Sequence, residues 1–90
     1  MFDGSQKKET DDVLLIAFAN GDRQAAQQLT ERLLPKIYAH AYHRLGNIAD
    51  AEDVTQEAFL KLWKFAPKWK QDRAQVSTWL YRVVSNLCKD

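Results

Sequence analysis

Asp50-Ala-Glu-Asp-Val-Thr-Gln-Glu-Ala-Phe-Leu-Lys-Leu-Trp63 decides how the chain is read, because its residues sort by character at one spacing and at no other. At about 100° per residue, Ala51, Val54, Ala58 and Leu62, with Phe65 beyond the stretch, gather on one side, while Asp53, Gln56, Glu57, Leu60 and Lys64 share the other. An alternating strand would mix the two sets. The spacing therefore predicts an amphipathic helix that starts near Ile48 to Asp50 and runs to about Phe65. Its first set is core, and Pro67 stops it.

Moving upstream, the apolar residues keep recurring at three and four. A first helix is expected from Asp11 or Asp12 to Asn20, with acids at its positive end and Gly21 as a left-handed stop. Its buried face is read as Val13, Leu14, Ala17 and Phe18. Asp22 caps a longer second helix with the stripe Ala26, Leu29, Leu33, Ile37, Ala41 and Leu45, closed by Gly46-Asn47. Pro35 falls inside that stripe, deletes a donor and crowds the carbonyl of Glu31, so a kink or break is expected near Leu34.

Downstream, residues 66–75 read as a loop, followed by a last helix from about Gln75 to the end. Val76, Trp79, Leu80, Val83 and Leu87 face inward; Thr78, Tyr81, Arg82, Ser85 and Lys89 face outward, with Asn86 on the boundary. That helix meets no Gly, Pro or polar run at Cys88-Lys89-Asp90, as if the reading frame continued. The expectation is an all-α, compact bundle of about four helices over residues 11–90, preceded by a disordered tail over residues 1–10.

Ninety residues fit one domain, and 46% hydrophobic with 28% charged residues, three Gly and two Pro is a globular composition. One cysteine excludes an internal disulfide, and no apolar run approaches the ~18 residues of a membrane span. The polar start has no secretory core, so a reducing, cytoplasmic setting without a membrane is expected. The net charge of +1 hides a division. Residues 1–60 carry six basic against ten acidic residues, and residues 61–90 carry seven basic against two acidic. Opposite halves imply different partners.

Catalysis finds little support. His40 and His43 lie at i and i+3, but no third ligand of matching spacing accompanies them, so they read as partly exposed surface histidines. Cys88 has no neighbouring base and reads as packing. Asp50, Asp53 and Glu57 lie on adjacent turns of an exposed helix start without a second ligand-bearing helix. No metal, no cofactor and no enzymatic role is expected.

Two surfaces remain. On the acidic helix face Leu60 stands among charges with Trp63 beside it, which suits a basic partner helix: charge steers the encounter and the apolar pair forms its dry centre. The helix dipole alone also accounts for Asp50, Glu52 and Asp53. The other surface interleaves rings with cations: Lys68, Trp69, Lys70, Gln71 and Arg73 in the loop, then Tyr81, Arg82, Asn86 and Lys89 on the last helix. Single-stranded nucleic acid asks for this mixture, since cations take phosphates while rings stack on bases. Trp79 belongs to the apolar stripe and reads as core. Trp69 and Tyr81 read as freer, Trp69 being either a base platform or a lid folded back on the core.

Those residues carry a resemblance. The stretch from Asp50 to Trp63, followed by Ser77-Thr-Trp-Leu-Tyr-Arg-Val-Val-Ser-Asn-Leu-Cys88, resembles region 2 of the extracytoplasmic-function (ECF) group of bacterial RNA polymerase sigma factors. Both blocks fall in the right order at the right spacing, and the Gly21-Asp22 junction and the Pro35 helix fit as well.

The resemblance implies a sigma region 2 type fold in a bacterial cytoplasm. It implies that the helix of Asp50, Asp53, Gln56, Glu57, Leu60 and Trp63 docks on the clamp helices of the largest subunit of core RNA polymerase. It also implies that residues 67–75 and the last helix capture the non-template strand of the −10 promoter element, with one base held in a loop pocket. The DNA-binding candidates are Lys68, Trp69, Lys70, Gln71, Arg73, Gln75, Ser77, Trp79, Tyr81, Arg82, Asn86 and Lys89.

Two departures from the pattern carry consequences. Where housekeeping sigma factors place two adjacent aromatics this chain has Trp79-Leu80, which implies weaker strand melting. Region 4, the −35 reader, is absent from these residues, so the chain alone is not expected to direct transcription. An anti-sigma factor is a further implied partner. The alternatives are a small helix-turn-helix regulator reading duplex DNA as a dimer, and a helical interaction domain with a merely solvated basic face. Preference for single strand, for palindromic duplex, or for neither separates the three.

Overall fold

A computed structural model describes residues 10–71 and 75–88. Four α-helices account for most of them: α1 (Asp11–Ala19), α2 (Arg23–Leu45), α3 (Ile48–Phe65) and α4 (Val76–Leu87), with one 3-10 turn, Ala66–Lys68, after α3. No strand occurs among the described residues. The expected tail lies outside them except for Thr10.

The helix ends are local chemistry. Thr10 Oγ1 accepts from the N–H of Val13 at 3.2 Å and starts α1. At its other end the N–H of Gly21 bonds the carbonyl of Phe18 and the N–H of Asp22 that of Ala17, a Schellman closure that puts Gly21 at φ +106°, where a side chain would be strained. Asp22 then caps α2, its Oδ1 accepting from Gln24 N–H (3.0 Å) and Ala25 N–H (3.3 Å). Left-handed Gly46 closes α2 and Asn47 opens α3, its Oδ1 accepting from Asp50 N–H at 2.9 Å.

Burial follows strict four-residue ridges. Ala25, Leu29, Leu33, Ile37 and Ala41 line α2, and Val76, Leu80 and Val84 line α4, all buried; α2 packs against each of the other three helices. Leu14 and Leu15 of α1 and Ala51, Thr55, Ala58, Phe59 and Leu62 of α3 complete the interior with Ala66. Arg32 and Asp11 tie α2 to α1 by an ion pair at 2.8 Å.

Several expectations are corrected, some by a single residue. Leu15, not Val13, enters the core from α1; Ala25 replaces Ala26; Thr55 and Phe59 replace Val54 and Phe65; Val84 is more deeply buried than Val83. One residue turns a helix by about 100°, so a stripe placed one position off still looks amphipathic while presenting the wrong side chains. The break near Leu34 does not occur. Glu31 and Pro35 are both exposed, so the carbonyl that loses its partner faces water and α2 continues.

Candidate functional site

The acidic face forms on α3. Asp50, Asp53, Gln56, Glu57 and Leu60 are all exposed, and Leu60 keeps 61% of its surface in water. Asp53, Gln56, Glu57 and Leu60 line a shallow depression whose remaining rim is Lys61 and Lys64. Glu57 and Lys61 approach at only 4.0 Å, an exposed i, i+4 pair that leaves the carboxylate free for a partner. Trp63 lies elsewhere. Its half-buried ring packs against Phe18 of α1 at 4.9 Å and Phe59 at 5.9 Å, so it braces α3 on α1 beside the face instead of standing next to Leu60 in its centre.

The basic face occupies the loop and α4. Lys68, Lys70, Gln71 and Gln75 are exposed before α4, and Arg82 and Asn86 are exposed on it. Ser77, Trp79 and Tyr81 are half-buried. Arg73 and Lys89 lie outside the described residues. A cleft opens between Gln71, Gln75 and Val76 on one side and Thr10, Asp11, Asp12 and Arg32 on the other. The α1 and α2 residues of that wall were not anticipated; their distance along the chain gave no sign that they meet the loop.

The aromatics are less free than expected. Trp69 folds back: its ring meets Phe65 edge-on at 6.2 Å and Trp79 edge-on at 6.3 Å, and its Nε1 is shielded from water with no hydrogen-bond partner. Of the two roles weighed for this ring, the geometry is that of the lid. Phe65, expected in the core, is instead 37% exposed and stacks on Trp79 at 5.4 Å with 22° between planes. Trp79 thus has a ring neighbour in both Phe65 and Trp69. Tyr81, expected outward, packs against His40 of α2 at 4.9 Å.

That contact changes the reading of His40. It is half-buried, its Nε2 shielded and unpartnered, while His43 is exposed. Desolvation first, then the charges of Arg44 and His43, hold its pKa below the ordinary value of 6.5. Cys88 is half-buried against the core, as its packing role required.

With the geometry in place, the comparisons with known proteins gain meaning. The family model for Sigma-70 region 2 matches residues 29–90. The ECF RNA polymerase sigma factor SigW of Bacillus subtilis is 39% identical over 70 residues, covering 78% of this chain and 37% of the relative. SigM of Mycobacterium tuberculosis is 36% identical over 92 residues, 97% of this chain and 44% of its own length. The ECF RNA polymerase sigma-E factor of Escherichia coli K12 is 36% identical over 81 residues, 90% of this chain and 41% of its own. The chain spans less than half the length of each of these relatives.

Proposed function

We propose a function from one premise: this chain belongs to the ECF RNA polymerase sigma factors and is their region 2. Its role is to join core RNA polymerase to promoter DNA, with no enzymatic step of its own. The observation that carries this reading is the separation of two chemically opposite surfaces on one small bundle. Exposed Asp53 and Glu57 lie on the N-terminal side of an exposed Leu60 along α3, with Lys61 and Lys64 beyond it, and exposed cations with an aromatic cluster occupy the loop and α4.

The α3 face suits docking on the clamp helices of the largest polymerase subunit. Asp53 and Glu57 attract a basic partner, Gln56 supplies a hydrogen-bonding amide, and Leu60 gives the centre that loses water on contact. Trp63 supports the face from behind by holding α3 against α1. The loop face suits the non-template strand of the −10 element. Lys68, Lys70 and Arg82 neutralise phosphates, and the cleft beside Gln71 and Gln75 offers amides and carboxylates to the edge of one unpaired base. Trp69 acts indirectly, as the lid that positions the loop. An anti-sigma factor would silence the protein by covering either face.

Packed against Phe65 and Trp69, and followed by Leu80 instead of a second ring, Trp79 supports weak strand melting and a dependence on promoter sequence. The test is fluorescence anisotropy with a labelled −10 non-template strand and its matching duplex. The single strand should bind more tightly, with a log-affinity slope in salt of about −0.7 per phosphate neutralised. Tighter binding to a palindromic duplex would establish the helix-turn-helix alternative instead.

A further inference from the structure

Lys64 lies on the rim of the acidic depression and Phe65 in the aromatic cluster, side by side at the end of α3, and neither has yet been given a contact of its own. Phe65 ends α3, one face of its ring laid on Trp79 at 5.4 Å and 22°. Beside that offset stack Phe65 keeps 37% of its surface in water. A single exposed apolar residue is ordinary on a protein surface. This one differs because two further rings pack against it, Trp79 near-parallel and Trp69 perpendicular at 6.2 Å. Exposed Lys64 precedes it and exposed Lys68 follows within a turn. Favourable charge at a helix C-terminus accounts for Lys64 alone; it gives no reason for a ring open to water between two cations.

We infer that the C-terminal end of α3 is an additional contact for single-stranded nucleic acid, in which the exposed part of Phe65 stacks on one unpaired nucleobase while Lys64 and Lys68 take the flanking phosphates. The inference rests on the proposed single-strand binding by the loop and α4, and extends it. A strand leaving α4 across the Phe65–Trp79 stack reaches the rim of the acidic depression, where Lys64 also lies. This contact therefore marks the seam at which bound strand and bound polymerase come closest. Its ligand class is a nucleobase without sequence preference, since every base has a face to stack.

The experiment uses the intact chain and a −10 non-template oligonucleotide into which one abasic site is moved position by position. Phe65→Leu keeps an apolar side chain over Trp79 but removes the flat ring, and a melting curve records that the variant is folded. Affinity should fall at least about fivefold, the lower end of what one base–ring stack contributes. One abasic position should cost native protein the same factor and cost Phe65→Leu nothing further. Lys64→Gln should reduce the salt slope by about 0.7. If Phe65→Leu binds as native does while Arg82→Ala weakens binding, the loop and α4 reading stands and the added contact is refuted. If native protein shows no preference for single strand, both fail together. Additive losses in the abasic scan would also refute the stack.

Discussion

Trp69 and His40 each hide a ring nitrogen with no partner, and each makes a separate prediction. For Trp69 the ring packs on Phe65 and Trp79 while Nε1 gains nothing from burial. Trp69→Phe should keep the ring contacts and remove the unpaired donor, leaving stability within about 1 kcal/mol of native. Trp69→Ala should cost about 2–4 kcal/mol, less than a fully buried Trp because the residue is half-exposed. Urea unfolding of both variants measures the difference. For His40, the folded state holds the imidazole below its ordinary pKa, so the unfolded chain takes up the proton first. Its contribution to stability is present above 6.5 and is lost as pH falls below that value. Unfolding followed through this window should show a decline that His40→Gln flattens, and an unchanged decline in that variant would assign it to other groups.

At the scale of the element, termini are more legible than the exact buried stripe. Asp22 is the polar cap expected for α2, and Gly21 and Gly46 take the left-handed turns that only Gly adopts at no cost, while Thr10 and Asn47 cap α1 and α3 without having been expected to. Such signals are local, so a sequence displays them. Which of two neighbouring residues is buried depends on what lies opposite, and nothing near Val13, Val54 or Phe65 in the chain says that Leu15, Thr55 and Phe59 have the better neighbours. Thr55 is the extreme case, buried at 2% exposure with its hydroxyl unpaired, a position that hydrophobicity alone would give to Val54. Gly21→Ala meets no neighbouring atom within 4 Å, so its expected loss of about 1–2 kcal/mol is conformational strain and nothing else. Pro35→Ala should act oppositely. Because α2 already runs through that residue, restoring the N–H toward Glu31 should stabilise by about 1–3 kcal/mol, read as a raised melting temperature.

Across the whole molecule, the charge asymmetry visible in the sequence survives as two surfaces on the same bundle. The acidic α3 face was readable from one helical period and stands where that period put it, with Trp63 turned toward α1 as the exception. The loop face was readable as composition only. Its rings Trp69 and Trp79 engage one another, with Trp79 read as core and Trp69 as platform or lid, and its cleft borrows Asp11, Asp12 and Arg32 from elements remote in sequence. A change at Asp53 and Glu57 alters no residue of the loop, and both side chains are exposed, so the fold does not depend on them. The charge-reversed pair Asp53→Lys and Glu57→Lys, assayed side by side for capture of core RNA polymerase and for affinity to the −10 non-template strand, tests this most directly. Polymerase capture should fall at least about tenfold while single-strand affinity stays within about twofold of native; an equal fall in both, or polymerase capture left intact, would contradict the account.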